Sequence, residues 1–273
     1  EALDVFQRLD ARPCIAQARL NMGAILGMKG QSKEAEDHFR QAIFLQEELE
    51  AQPDLCEGYL YRAQFLVREG RLEEAEFHLS RAETLLSLAD CALLNIMLCN
   101  VQGELYQRKG RYHEAKCFFE RALSKARMQS HPYEEAKALA NLGRILMLDK
   151  DYPEALSRLE QASVVMSRLG AVHDSLAVCA DLHSLFLAMG DRARAEEIAA
   201  FRDCEAGKVG HKEGSAHKDS GAQACAVPQS SRAENDPGIS VMDDQKSEKL
   251  PEPSPLPVQK RDLLEVRPDQ RGQ

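Results

Sequence analysis

Large and small apolar residues recur along this chain at helical spacing, and the whole pattern returns every 40 residues. It is plainest in residues 98–122, L-C-N-V-Q-G-E-L-Y-Q-R-K-G-R-Y-H-E-A-K-C-F-F-E-R-A. There one apolar helical pattern runs into Lys109-Gly110-Arg111 and a second opens at Tyr112. Ala35, Ala75, Ala115, Ala155 and Ala195 share one register; Ala42, Ala82, Ala122 and Ala162 share another that reaches back to Ala2. Phe39, Leu79, Phe119 and Leu159 stand between the two. The alanines of a pair lie two helical turns apart, with the large residue between them on the same stripe, so each trio forms one apolar face. Turn glycines occupy Gly30, Gly70, Gly110 and Gly190, with Lys150 in the missing place. Glycine there permits the positive φ of a helix C-terminus and a short reversal. A further register, Gly23, Ala63, Gly103, Gly143 and then His183, puts small side chains where two helix axes must approach closely. The pattern predicts pairs of helices that cannot hide their outer faces unaided and therefore stack.

The predicted first helix of repeat one runs near Pro13–Lys29 and its second near Ser32–Leu49. Repeat two spans about Pro53–Leu88, repeat three Cys91–Met128 and repeat four Pro132–Gly170. Pro13, Pro53 and Pro153 fall near helix starts, where a missing N–H costs nothing. Repeat five, about Val172–Phe201, is degenerate, as terminal repeats of a stack tend to be.

The stretch G-x-L-Y-x-x-x-G-x-x-x-E-A-x-x-x-F-x-x-A-L of repeat three resembles the tetratricopeptide repeat, whose usual unit is ~34 residues. The longer period here is similar to the variant in kinesin light chains and Leu-Gly-Asn repeat proteins. Asn21-Met22-Gly23 and Asn141-Leu142-Gly143 match that subgroup; Arg62-Ala63, Gln102-Gly103 and Leu182-His183 do not. The resemblance implies an all-α fold, a right-handed α-solenoid of antiparallel helix hairpins. Residues 1–11 are expected to be the second helix of a truncated preceding repeat, 12–204 an array of about five helix pairs, and 205–273 a disordered tail. Because Glu1-Ala2-Leu3 is in phase with Arg121-Ala122-Leu123, the chain is expected to be part of something longer.

Composition narrows the function. A net charge of −9 gives no long-range attraction to a polyanion, so no nucleic-acid partner is expected. No apolar run approaches the ~20 residues of a spanning helix, so no membrane insertion is expected. The eight cysteines contain no C-x-x-C pair and read as free, mostly buried thiols of a reducing compartment, which points to an intracellular, cytoplasmic protein. Seven of the eleven prolines lie after residue 203, with Pro251 to Pro257 alternating, and this tail holds too little apolar content for a core.

No metal-binding or nucleophile motif is present, and neither cofactor nor metal nor catalysis is expected. His38 and His78 share one repeat position, which reads as a structural surface place. Glu34, Glu74, Glu114 and Glu154 fall in the first turns of second helices, where they face the helix dipole.

In the resembled family the first helices line a concave groove, with residues flanking the small residue of the fourth register turned into it. That register carries over to Asn21, Gln64, Asn100, Glu104, Asn141, Arg144 and Asp181, with Lys137 one turn earlier. Long amides there can bind a peptide backbone, and Lys137 with Arg144 can hold a carboxylate. An ordinary solvated helix face is the competing reading for each. The leading expectation is a non-catalytic adapter that binds a peptide or helix of another protein in this groove. The alternative is a regulatory or sensor segment of a larger enzyme or transcription regulator. A third has the tail docking back through Leu263 and Leu264. Self-association through an open N-terminal end is a further expectation, since Leu3, Val5 and Phe6 lack a covering repeat there.

Overall fold

The computed structural model describes residues 2–87 and 91–212, and among these residues the only regular elements are α-helices. A short α1 (Ala2–Arg8) precedes five pairs. The pairs are α2 (Arg12–Met28) with α3 (Ser32–Glu48), α4 (Gln52–Glu69) with α5 (Leu72–Leu86), and α6 (Ala92–Arg108) with α7 (Tyr112–Met128). They continue with α8 (Pro132–Leu148) and α9 (Tyr152–Arg168), then α10 (Val172–Met189) and α11 (Arg192–Lys212). α11 runs past the expected array boundary at residue 204. The stretches expected to form the proline-rich tail and the Leu263–Leu264 docking segment lie outside the described residues.

One turn geometry is used throughout. Residues 10, 30, 50, 70, 110, 130, 150, 170 and 190 all adopt positive φ, twenty residues apart, with residue 90 outside the described set. Each ends a helix by the same pair of bonds. At residue 30, the Gln31 N–H donates to the Leu26 carbonyl at 3.0 Å and the Gly30 N–H to that of Gly27 at 3.2 Å. The residue that closes one helix then opens the next, as when the Ala35 N–H donates to the Gln31 carbonyl. Turns within pairs match the sequence expectation; turns between pairs use Gly170 and also Asp10, Glu50 and Ser130, which glycine counting does not find.

Lys150 holds a φ of +61° where the four other pairs use glycine at this turn. A left-handed L residue costs about 1–2 kcal/mol, partly offset by the added chain freedom of glycine in the unfolded state. Lys150→Gly is therefore expected to stabilise the protein by about 0.5–1 kcal/mol, read as a higher urea midpoint at unchanged slope. A lowered midpoint would show that the lysine earns its place by another contact.

The alanine and large-residue registers form the core. Ala35, Phe39, Ala42, Ala115, Phe119, Ala122, Ala155, Leu159 and Ala162 are all buried, each large side chain contributing about 2 kcal/mol by leaving water. α6 belongs to two clusters at once: Leu98, Val101 and Leu105 join the first two pairs, while Ile96 and Cys99 join α7 and the last two pairs. Neighbouring pairs therefore share one continuous ribbon of apolar contact, the arrangement stacking requires.

Buried polar side chains interrupt it, His78 and Gln46 among them. His78 is buried, contrary to the surface place its repetition implied: it stacks on Tyr59 at 5.6 Å and meets Phe77 edge-on at 5.3 Å. Burial, reinforced by the Arg62 charge, presses its pKa down to about 4, so it is neutral near pH 7. Gln46 is 1% exposed and neither end of its amide has a partner. Its repeat equivalents are Leu86, Ala126 and Met166, all buried. Gln46→Met is expected to raise stability by about 1–2 kcal/mol in thermal unfolding by removing that uncompensated amide. A loss would mean the amide is satisfied in solution.

Candidate functional site

The first helices of successive pairs lie against one another, α2 on α4, α4 on α6, α6 on α8 and α8 on α10. Among the described residues no two second helices touch in this way. The first helices therefore share one face. It opens into a cavity of about 720 Å³ whose walls come from all five of them, with Tyr112 and Met166 contributed by α7 and α9.

Four predicted residues line it: Glu104, Lys137, Asn141 and Arg144. Their chemistry is turned largely inward, tying one repeat to the next. The Gln64 amide donates to Glu104 at 3.2 Å, two residues in the same place of adjacent repeats. Asn100, fully buried, donates to the Glu134 carboxylate at 2.6 Å and leaves its own amide oxygen without a partner. Lys137 lies 3.5 Å from the other Glu134 oxygen, with its side chain 15% exposed and that of Glu134 5%. Arg144 donates to Asp181 at 2.8 Å and to the buried Asn141. Asn21 is exposed on α2 and stands outside the cavity lining.

These contacts change the expected electrostatics. Lys137 and Arg144 do not present an open pair of cations, because each already has a carboxylate. Burial opposes the Lys137 charge, yet Glu134 and then Glu104 outweigh it and raise the pKa above the ordinary lysine value. This pairing contributes stability below the ordinary lysine pKa and loses it only as pH rises through the higher folded value. Asp181 goes the other way for a carboxyl: burial lifts its pKa, and Arg144 only partly restores it.

Sequence reasoning missed two cations of the cavity lining. Arg68 and Arg108 end α4 and α6, line the cavity, are exposed, and make no ion pair among the described residues. The available signal was their spacing of one repeat, which the search around the glycine register did not reach. The first-turn glutamates meet expectation and gain partners: Arg71 holds Glu74 at 2.6 Å and Arg111 holds Glu114 at 2.8 Å. Those arginines hold both carboxyls below the usual range. The seven described cysteines are free, but against expectation only Cys56, Cys99 and Cys179 are buried while Cys14, Cys117 and Cys204 are exposed; burial pushes the Cys56 thiol up to about 12. Among the described residues no cluster of His, Cys, Asp or Glu is arranged to hold a metal, and no helix is long and apolar enough to cross a membrane.

Residues 98–124 and 138–170 each match a family model described as tetratricopeptide repeat. No curated protein matches the chain. BtubC (BKLC) from P. vanneervenii is similar in structure, with a TM-score of 0.56 at 17% identity over 84% of this chain and 95% of that one. Aspartyl phosphate phosphatase F from Bacillus subtilis gives 0.56 at 14% identity, over 76% of this chain and 55% of the phosphatase. A signal transduction ATPase with numerous domains from Pyrococcus horikoshii, which carries a tetratricopeptide repeat sensor, gives 0.57 at 17% identity. That match covers 78% of this chain and 32% of the ATPase. At these identities the likeness is one of fold.

Proposed function

We propose, from the premise that this chain is a tetratricopeptide-repeat protein, that it is a non-catalytic adapter which binds a peptide or helical segment of another protein along its first helices. The observation that carries this reading is the shared cavity, whose floor is fixed by hydrogen bonds between successive repeats before any ligand arrives. Such preorganisation lowers the ordering cost of binding. Apolar Met28 and Leu148 beside charged Arg68 and Arg108 offer a bound segment both burial and charge-assisted contacts. Of the predicted groove residues, Glu104 and Arg144 remain the best placed to touch a ligand, while Asn100 and Asn141 act from below by holding the wall. The buried free thiols of Cys56, Cys99 and Cys179 fit a reducing, intracellular setting.

Plugging the cavity tests this. Ala177 and Gln107 line it from α10 and α6, the first exposed and the second half-buried. Peptides selected by display against the wild-type chain are expected to lose at least about tenfold in affinity for the Gln107→Trp/Ala177→Trp variant, at unchanged helicity. Selected peptides that bind the plugged variant equally well would contradict the reading.

A further inference from the structure

The geometry points to a specific ligand class for this groove: an extended acidic segment with two carboxylates three residues apart, flanked by apolar residues three further out on each side. The inference rests on the groove reading and deepens it. One repeat position, followed through four consecutive first helices, reads Met28, Arg68, Arg108 and Leu148, and all four line the cavity. One turn before the arginines, Gln64 and Glu104 touch at 3.2 Å, which fixes α4 and α6 side by side there. Two guanidiniums are thus brought to one wall, each without a carboxylate among the described residues, although Arg144 of the same lining has one. A last-turn cation suits a helix dipole taken singly. That does not account for two of them sharing a cleft between exposed apolar neighbours. Their mutual repulsion is relieved by anions, and carboxylates answer a guanidinium fork with paired, charge-assisted bonds.

The spacing follows from the stack. Packed helix axes lie about 10 Å apart, and an extended chain advances about 3.3 Å per residue. A peptide crossing the first helices therefore meets one of these side chains every third residue, in the order apolar, acidic, acidic, apolar.

The test uses the full chain and a fluorescein-labelled decapeptide with leucine first and last, glutamate fourth and seventh, and serine elsewhere. It is expected to bind about tenfold tighter than an isomer with the glutamates fifth and sixth, and to weaken as salt rises. Arg68→Gln/Arg108→Gln should remove that preference without changing the circular dichroism spectrum. As a measurement independent of any variant, the wild-type chain should reject the decapeptide with lysines in place of both glutamates. Equal binding of the two glutamate isomers, indifference to the arginine substitutions, acceptance of the lysine peptide, or no binding by the designed peptide would each overturn this inference. Display-selected peptides that are lost on plugging the cavity but ignore both arginines would leave the groove reading standing and remove this one; peptides indifferent to the plug would remove both.

Discussion

Lys137→Met is expected to destabilise the protein by about 3 kcal/mol, the larger of the two major effects foreseen here. The substitution keeps the volume of the stem and removes the charge. Glu134, with a side chain 5% exposed, then keeps only the Asn100 amide at 2.6 Å and has no cation to offset its burial. Desolvation of an unpaired carboxylate is what makes the loss large; the pair itself is worth much less than its removal costs. Glu134→Gln added to Lys137→Met should recover most of the stability, because an amide oxygen still accepts from Asn100 and no charge is left buried. Urea unfolding of the two single variants and the double should therefore give a coupling of at least about 2 kcal/mol. Additive effects would mean that Lys137 and Glu134 are solvated separately.

Gly103→Ala is expected to cost about 2 kcal/mol, although alanine is the better helix former by about 1 kcal/mol. A Cβ at this position would lie 2.4 Å from Cε1 and 2.6 Å from Cδ1 of Phe119, whose ring is fully buried. The ring has to shift, and the core around it resists because interiors are close-packed. Repeat two shows what relieves it: Ala63 and Leu79 occupy the equivalent places, and both are buried. Phe119→Leu alone should lose about 1 kcal/mol of packing. Combined with Gly103→Ala it should be more stable than Gly103→Ala alone, since the pair then reproduces repeat two. A double variant worse than either single one would show that the glycine serves the backbone and not the ring.

Those two sites mark how far the sequence could be read. The Gly103–Phe119 contact was visible in outline, because small and large residues recurring in phase leave few ways to pack two helices. The within-pair turns were visible for the same reason, down to Lys150 in the place of glycine. Turns at Asp10, Glu50 and Ser130 were hidden, because tolerated left-handed residues carry no compositional mark as strong as glycine. His78 was misplaced because a repeated histidine says nothing about which neighbours stack on it. At the groove, the register identified the face but not its internal pairing. Whether Arg144 meets a ligand or Asp181 depends on contacts 37 residues away in sequence, which no local pattern encodes. Arg68 and Arg108 were missed because they lie a turn beyond the glycine register, at helix ends, where a cation already has an ordinary explanation.

The central claim is that first helices form the recognition surface and second helices form its support. Amide hydrogen exchange of the full chain with and without a saturating display-selected peptide tests it most directly. The account predicts added protection in α4, α6 and α8, with α5, α7 and α9 unchanged. Protection appearing on α5, α7 and α9 while the first helices stay as they were would contradict it.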